Sequence, residues 1–149
     1  MKYILFICIF ICCHVSSAAQ QKKIIRIAAL DITSQGVDKD LANTLSQVYA
    51  SRLGEYSHLN VISTAEIKAM LDFEFKKKLV GCEDDISCLA EIGGALGVDL
   101  VATGTIGFTN GTYVLNLMLI HIRHGIVHNR VSTIWRGEPE ELFDLLTPY

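Results

Sequence analysis

Two stretches of this 149-residue chain carry the side chains best suited to chemistry. Residues 81–88 read GCEDDISC, so Cys82 and Cys88 flank a run of acids, Glu83, Asp84 and Asp85. Residues 121–128 read HIRHGIVH and hold His121, His124 and His128. A zinc knuckle needs donors in close pairs such as Cys-x2-Cys, and four in all. The cysteine spacing here is wider, and the nearest histidines in sequence, His58 and His121, are remote from it. A redox pair is expected as Cys-x-x-Cys. A disulfide asks only for alpha carbons within reach, which a loop entering the first turn of a helix provides. Cys82 and Cys88 are therefore read as a covalent staple. In the loop-entropy model so small a ring contributes about 2–2.5 kcal/mol. Asp84 or Asp85 is then placed to cap the helix that follows.

The remaining candidates for chemistry dissolve on inspection. A hairpin register derived below sends His121 and His128 to opposite faces and His124 to a turn tip, so no shared metal ion is expected. Gly93, Gly94 and Gly97 look like a phosphate loop, but a dinucleotide fingerprint follows a strand and opens a helix. These glycines close one, and their expected use is tight helix–sheet packing against Ala102 and Gly104. Asn110-Gly111-Thr112 matches a glycosylation sequon, yet a hairpin turn accounts for it. No Ser-His-Asp, Cys-His or paired-carboxylate set assembles from the spacing. Neither a catalytic residue nor a cofactor nor a metal is expected, and the chain is read as a non-enzyme.

The compartment supports the staple. Residues 1–19 open with Lys2, continue through an apolar run over 3–13 and end on Ser17-Ala18-Ala19. That is the pattern of a cleavable secretory signal. The run is too short for a bilayer core that needs about twenty residues. Phe10-Ile11-Cys12-Cys13 lacks the leucine and small residue of a lipid-acceptor site. Cys8, Cys12 and Cys13 leave with the signal, so Cys82 and Cys88 remain as an even pair bound for an oxidising compartment. Residues 20–149 are expected to form one domain, long enough to bury about two-thirds of its unfolded surface. The net charge of the whole chain is −3. No basic excess exists to attract nucleic acid or anionic lipid.

The elements that must position these residues follow from periodicity. Residues 24–30 (IIRIAAL) form an apolar run fit for a buried strand, with a loop over 31–36. Val37, Leu41, Leu45, Val48 and Leu53 repeat at helical spacing, with Asp38 and Asp40 in the first turn. Residues 59–62 are a short second strand. Ser63 and Glu66 make a capping box for a helix carrying Ile67, Met70, Leu71, Phe75 and Leu79 and ending at Gly81. Ile86, Leu89, Ile92 and Leu96 mark a third helix closed by Gly97. Strands over 98–108 and 112–122 flank Asn110-Gly111, the strongest short hairpin signal. A strand over 126–135 and a short helix over 140–146 complete the chain. The expected fold is α/β, one domain of order βαβααβββα, with a mixed sheet and C-terminal antiparallel hairpins.

Register decides which sheet face is dry. A two-residue turn at Asn110-Gly111 sets Phe108 opposite Tyr113, Ile106 opposite Leu115 and Gly104 opposite Leu117. A three-residue second turn with Gly125 left-handed pairs Ile122 with Ile126. It places Leu115, Leu117 and Leu119 with Val127, Val131 and Trp135, whereas a two-residue turn would set His128 and Arg130 beside those leucines. The opposite face then carries Thr105, Asn116 and Ser132 in one row and Thr103, Met118 and Arg130 in the next. Thr105, Asn116 and Arg130 are the expected partner-binding residues on this half-polar face.

The stretches IIRIAALDI, LANTLSQVYASRL, NVISTAEIKAML, GCEDDISCLAEIGGALGVDLVATGTIG and YVLNLMLIHIRHGIV occur in this order. Together they resemble the periplasmic α/β domain shared by curli-secretion channel lipoproteins, lipoprotein activators of penicillin-binding proteins and the TolB amino-terminal domain. The resemblance covers nearly all of residues 20–149 and is most specific over 81–107. It implies a non-enzymatic module that docks with envelope proteins or builds assemblies, with peripheral association to the outer membrane through partners and possible oligomers. His121 and His124 stand where the resemblance leads one to expect the Asp and Thr of an Asp-x-x-Thr-Gly turn. The acylated cysteine and inserted membrane-spanning hairpins of the channel lipoproteins have no counterpart here. A periplasmic or secreted protein-binding or assembly module is the expectation; a soluble sensor or carrier of a small ligand on the polar sheet face is the alternative.

Overall fold

The computed structural model of the chain describes residues 23–70, 81, 82 and 85–146. Its elements are β1 (Ile25–Gln35), α1 (Lys39–Gly54), β2 (Leu59–Ser63), α2 (Thr64–Met70), α3 (Ile86–Leu96), β3 (Leu100–Thr109), β4 (Thr112–His121) and β5 (Ile126–Trp135). A 3-10 turn, Ile122–His124, joins β4 to β5, and a 3-10 segment, Pro139–Leu146, follows β5. The expected order is found, with a 3-10 segment in place of the last short helix. Five strands form one mixed sheet in the order β2-β1-β3-β4-β5. β1 runs parallel to β2 and β3, while β3, β4 and β5 are antiparallel.

β1 outruns the run that signals it. The loop expected over 31–36 is instead strand as far as Gln35, which pairs with Gly107. The register shifts between Ala29 and Ile32, so the strand bulges around exposed Asp31. Leu30 packs with Ala28 in the core beneath α2 and α3, and the bulge turns Ile32 to the opposite core beneath α1. The Ile32 amide donates to the buried Ser46 hydroxyl at 2.8 Å, and that hydroxyl in turn donates to the Ala42 carbonyl at 2.7 Å. A period-2 reading stops at Asp31 because a bulge breaks the alternation on which it rests.

Each helix is terminated by chemistry visible in its sequence. Asp38 caps α1, accepting from the Asp40 and Leu41 amides. α1 buries Ala42, Leu45 and Ser46 against β1, and fully burying a residue such as Leu45 contributes about 1.5–3 kcal/mol. The capping box forms on α2: the Ser63 amide donates to Glu66 Oε2 at 2.8 Å, and the Glu66 amide donates to Ser63 Oγ at 3.4 Å. The expected continuation of this helix over 71–80 lies outside the described residues. Asp85 caps α3, accepting from the Ser87 and Cys88 amides at 2.9 and 3.3 Å. Gly97, left-handed at φ 65°, closes it.

Two cores result. Ala28, Leu30, Ile67, Cys82, Leu89, Ile92, Val101 and Ile120 pack under α2 and α3. Ile32, Ala42, Leu45, Ile106, Leu115 and Leu142 pack on the other face under α1 and the closing 3-10 segment. Gly93 is the close approach between α3 and the sheet: a Cβ there would collide with Ile122 and meet Val101. Its contacts are therefore Val101 and Ile122, not the expected Ala102 and Gly104. Gly94 faces open space.

The hairpins divide the same way. Asn110 at φ 50° and Gly111 at φ 73° make the expected two-residue turn, and Phe108, Ile106 and Gly104 oppose Tyr113, Leu115 and Leu117. The second turn is one residue longer than expected. His121, not Ile122, pairs with Ile126, and Gly125 is left-handed at φ 59°. A bulge between Leu119 and Ile120 absorbs the extra residue on β5: Ile120 pairs with Val127, Leu119 with Asn129, and His128 is left between them. Beyond the bulge the expected register holds, with Leu117 opposite Val131 and Asn116 opposite Ser132. Before it the face is reversed, and Val127 packs with Ile120 and Met118 rather than with the leucines.

Candidate interaction surface

On the sheet face beneath α2 and α3, helical cover ends part of the way along β3. Val101 and Thr103 are buried, the latter at 4%, so Thr103 does not belong to the open face on which it was expected. The next row is open. Thr105 is half-buried, and Asn116, Ser132 and Arg130 are exposed. The Ser132 hydroxyl donates to Asn116 Oδ1 at 2.7 Å, and Asn116 Nδ2 donates to Thr105 Oγ1 at 3.4 Å. A hydrogen-bonded polar row thus crosses β3, β4 and β5. Met118 and Arg130 pair on one side of it, and Val114 and Ile134 on the other. Ile134 is 66% exposed, the most exposed large apolar residue of the sheet.

Sequence reasoning placed Thr105, Asn116 and Arg130 on one surface, and the structure brings them around a single depression with Gly104, Leu117 and Met118. On the other face of the sheet a Cβ at Gly104 would run into the Asn116 carbonyl and the Leu117 side chain. The depression holds about 260 Å³, below the roughly 300–1,000 Å³ of ordinary ligand pockets. Ile134 was missed, although the same register sets it opposite Val114 and beside Ser132; the signal was an apolar pair on a face judged only by its polar members.

Cys82 is 1% exposed and lies in the core under α2 and α3, with its alpha carbon 5.5 Å from that of Cys88. That separation is the usual one for a bridged pair. The Asp85 amide donates to the Cys82 carbonyl at 3.2 Å, and the Asp85 carboxylate caps the helix on which Cys88 stands. Asp85 therefore serves the scaffold, tying Cys82 to the start of the helix that carries Cys88.

The histidines fall differently from expectation. The His121 ring lies 4.6 Å from that of His124 and 6.3 Å from that of His128, measured between centroids and tilted to both. The longer turn and the bulge at His128 reverse the face of that residue and bring the three rings together. Among the described residues no group of three histidine, cysteine or carboxylate side chains is arranged to hold a metal ion. A separate cleft of about 390 Å³ lies at the carboxyl end of β1, lined in part by Thr64 and Thr103, where Lys68 pairs with Asp31 at 3.1 Å.

No family model matches the sequence, and no curated protein matches it. Solved structures do match the fold. The lipoprotein GNA1162 from Neisseria meningitidis aligns with a TM-score of 0.59 at 16% identity, over 75% of this chain and 80% of that one. The LpoB C-terminal domain from Salmonella enterica aligns at 0.53 and 10% identity, over 76% and 83%. A PelC dodecamer from Paraburkholderia phytofirmans aligns at 0.54 and 11% identity, over 84% and 82%. The fold of this chain is thus similar to that of these three proteins. Two of them, LpoB and the GNA1162 lipoprotein, are of the kinds the sequence resembles or close to them in architecture. Among the described residues no helix is long and apolar enough to cross a membrane.

Proposed function

We propose that this chain is a non-enzymatic protein-binding or assembly module of the bacterial cell envelope. It is delivered to the periplasm or beyond by a signal over residues 1–19, and its scaffold is stapled by a Cys82–Cys88 disulfide. The partner docks on the open sheet face, with Thr105, Asn116 and Arg130 as polar contacts and Ile134 as the apolar one. The single observation that carries this reading is the hydrogen-bonded row Thr105–Asn116–Ser132, left uncovered by the described helices and bordered by exposed Arg130 and Ile134. A half-polar surface with an apolar anchor is how non-obligate interfaces are built. The fold shared with two envelope proteins, the GNA1162 lipoprotein and LpoB, supports the compartment, and the PelC dodecamer supports assembly as a use of this fold.

The test is capture from envelope extracts by the wild-type chain and by Arg130→Glu and Ile134→Asp. Both positions are exposed, so both variants should keep the wild-type melting temperature within the range of ordinary surface substitutions, about 0.5 kcal/mol. Each should weaken recovery of the same partner about tenfold or more. Recovery unchanged by both substitutions would remove the face from the interface. Saturable binding of a small molecule with no protein partner would transfer the role to the sensor or carrier reading.

A further inference from the structure

The opposite end of the sheet, at the amino termini of β1 and β3, gathers positive charge on a chain of net charge −3. A cleft of about 580 Å³ opens there. Lys23 and Arg26 line it from the start of β1, His121 and Arg123 from the end of β4 and its turn, and His128 from the bulge. His124 completes the wall beside His121. Asp99 is the one carboxylate in the lining.

That carboxylate is already engaged. Asp99 Oδ2 accepts from the Arg26 amide at 3.0 Å, and the Asp99 amide donates to the Arg26 carbonyl at 2.8 Å. The hydrogen bond from the Arg26 amide holds the Asp99 carboxyl below the usual range, burial opposes this, and the charges of Arg26, Lys23 and Arg123 reinforce it. Three permanent cations therefore converge on one point. Among the described residues none of the three forms an ion pair. α3, which packs against the turn, carries a single carboxylate, Glu91. Even with Glu91 counted, the cations outnumber the acids.

Donor geometry points the same way. His121 Nδ1 is buried with no hydrogen-bond partner, so a hydrogen bond from this ring to anything in the cleft runs through Nε2. His124 and His128 are exposed on either side of it. We propose that this cleft binds a tetrahedral oxyanion, the phosphate or sulfate group of a ligand, held by the Arg26 and Arg123 guanidiniums and by the imidazoles of His121, His124 and His128. Guanidinium–oxyanion hydrogen bonds are charge-assisted and bidentate.

Sulfate is the probe. It is titrated at constant ionic strength against sodium chloride while imidazole and amide NMR signals are followed. Saturable shifts confined to residues 23–26, 97–99 and 121–128 are expected. Arg26→Gln and Arg123→Gln should each lose about tenfold, and Arg136→Gln, outside the cleft, should lose nothing. Sedimentation with phosphatidylglycerol vesicles places the source: binding lost in the two cleft variants assigns a lipid headgroup, and sulfate binding without vesicle binding assigns a free anion. Shifts that chloride reproduces, or affinity unchanged in both variants, would overturn the site. Micromolar zinc on the three imidazoles with no response to sulfate would replace it with a metal site.

Discussion

His121 and His128 stand with ring centroids 6.3 Å apart although a regular hairpin would send them to opposite faces of the sheet. The single extra residue of β5, at the bulge beside Leu119 and Ile120, makes them neighbours. It also reverses Val127 into the core under α3 while leaving Asn116 opposite Ser132. One local irregularity thus builds the basic cleft without disturbing the open polar face. The two surfaces should respond independently to substitution.

Gly93 and Gly94 are adjacent in α3 and should behave oppositely. Gly93→Ala drives a methyl into Ile122 and Val101, and should destabilise by about 1–3 kcal/mol. Gly94→Ala meets open space in a helix interior and should stabilise by up to about 1 kcal/mol. Urea unfolding of the two variants checks this; equal effects would mean that Gly93 is not the point of contact between α3 and the sheet.

The cysteines are tested by mass and by stability. The unreduced protein should be two hydrogens lighter than the reduced form, and a digest should yield one linked peptide holding Cys82 and Cys88. Replacing both with alanine should cost about 2 kcal/mol or somewhat more, since Cys82 is also a core residue. Partner capture should survive. Free thiols in freshly isolated protein would refute the bridge.

Glu66 links the capping box to pH. The Ser63 amide, and then its hydroxyl, hold the Glu66 carboxyl below its ordinary value. A carboxyl depressed in the folded state contributes stability that is present above its unfolded value, about 4.3, and lost as pH falls through the lower folded one. Glu66→Gln should therefore be less stable than wild type at neutral pH, and the gap should close in acid. Urea midpoints across an acid series measure it, and a gap that stays undiminished as pH falls would contradict the assignment.

Tyr49 should titrate late. Burial pushes its hydroxyl up to about 12. A group raised in the folded state contributes stability fully present below its unfolded value of 10.0 and lost as pH rises toward the folded one. Ultraviolet titration of the folded protein should show one late tyrosinate that is absent from Tyr49→Phe.

By itself the sequence determined several features whose signal is local. The capping box at Ser63 and Glu66, an aspartate cap at 84 or 85 that falls to Asp85, the Gly97 stop and the Asn110-Gly111 turn each depend on residues within a few positions of one another, and these are found. The polar row across Thr105, Asn116 and Ser132 was legible too, because hydrophobic alternation transmits register from turn to turn. Only the tertiary structure decided the bulges. Ile32 shifts register to fill the core under α1, and β5 gains a residue at His128 so that Val127 packs beside Ile120. A bulge is selected by the packing it permits between elements distant in sequence, and alternation along one strand cannot encode it. The three histidines and the cations around Asp99 became a site for that reason, their meeting being a consequence of strand pairing rather than of spacing.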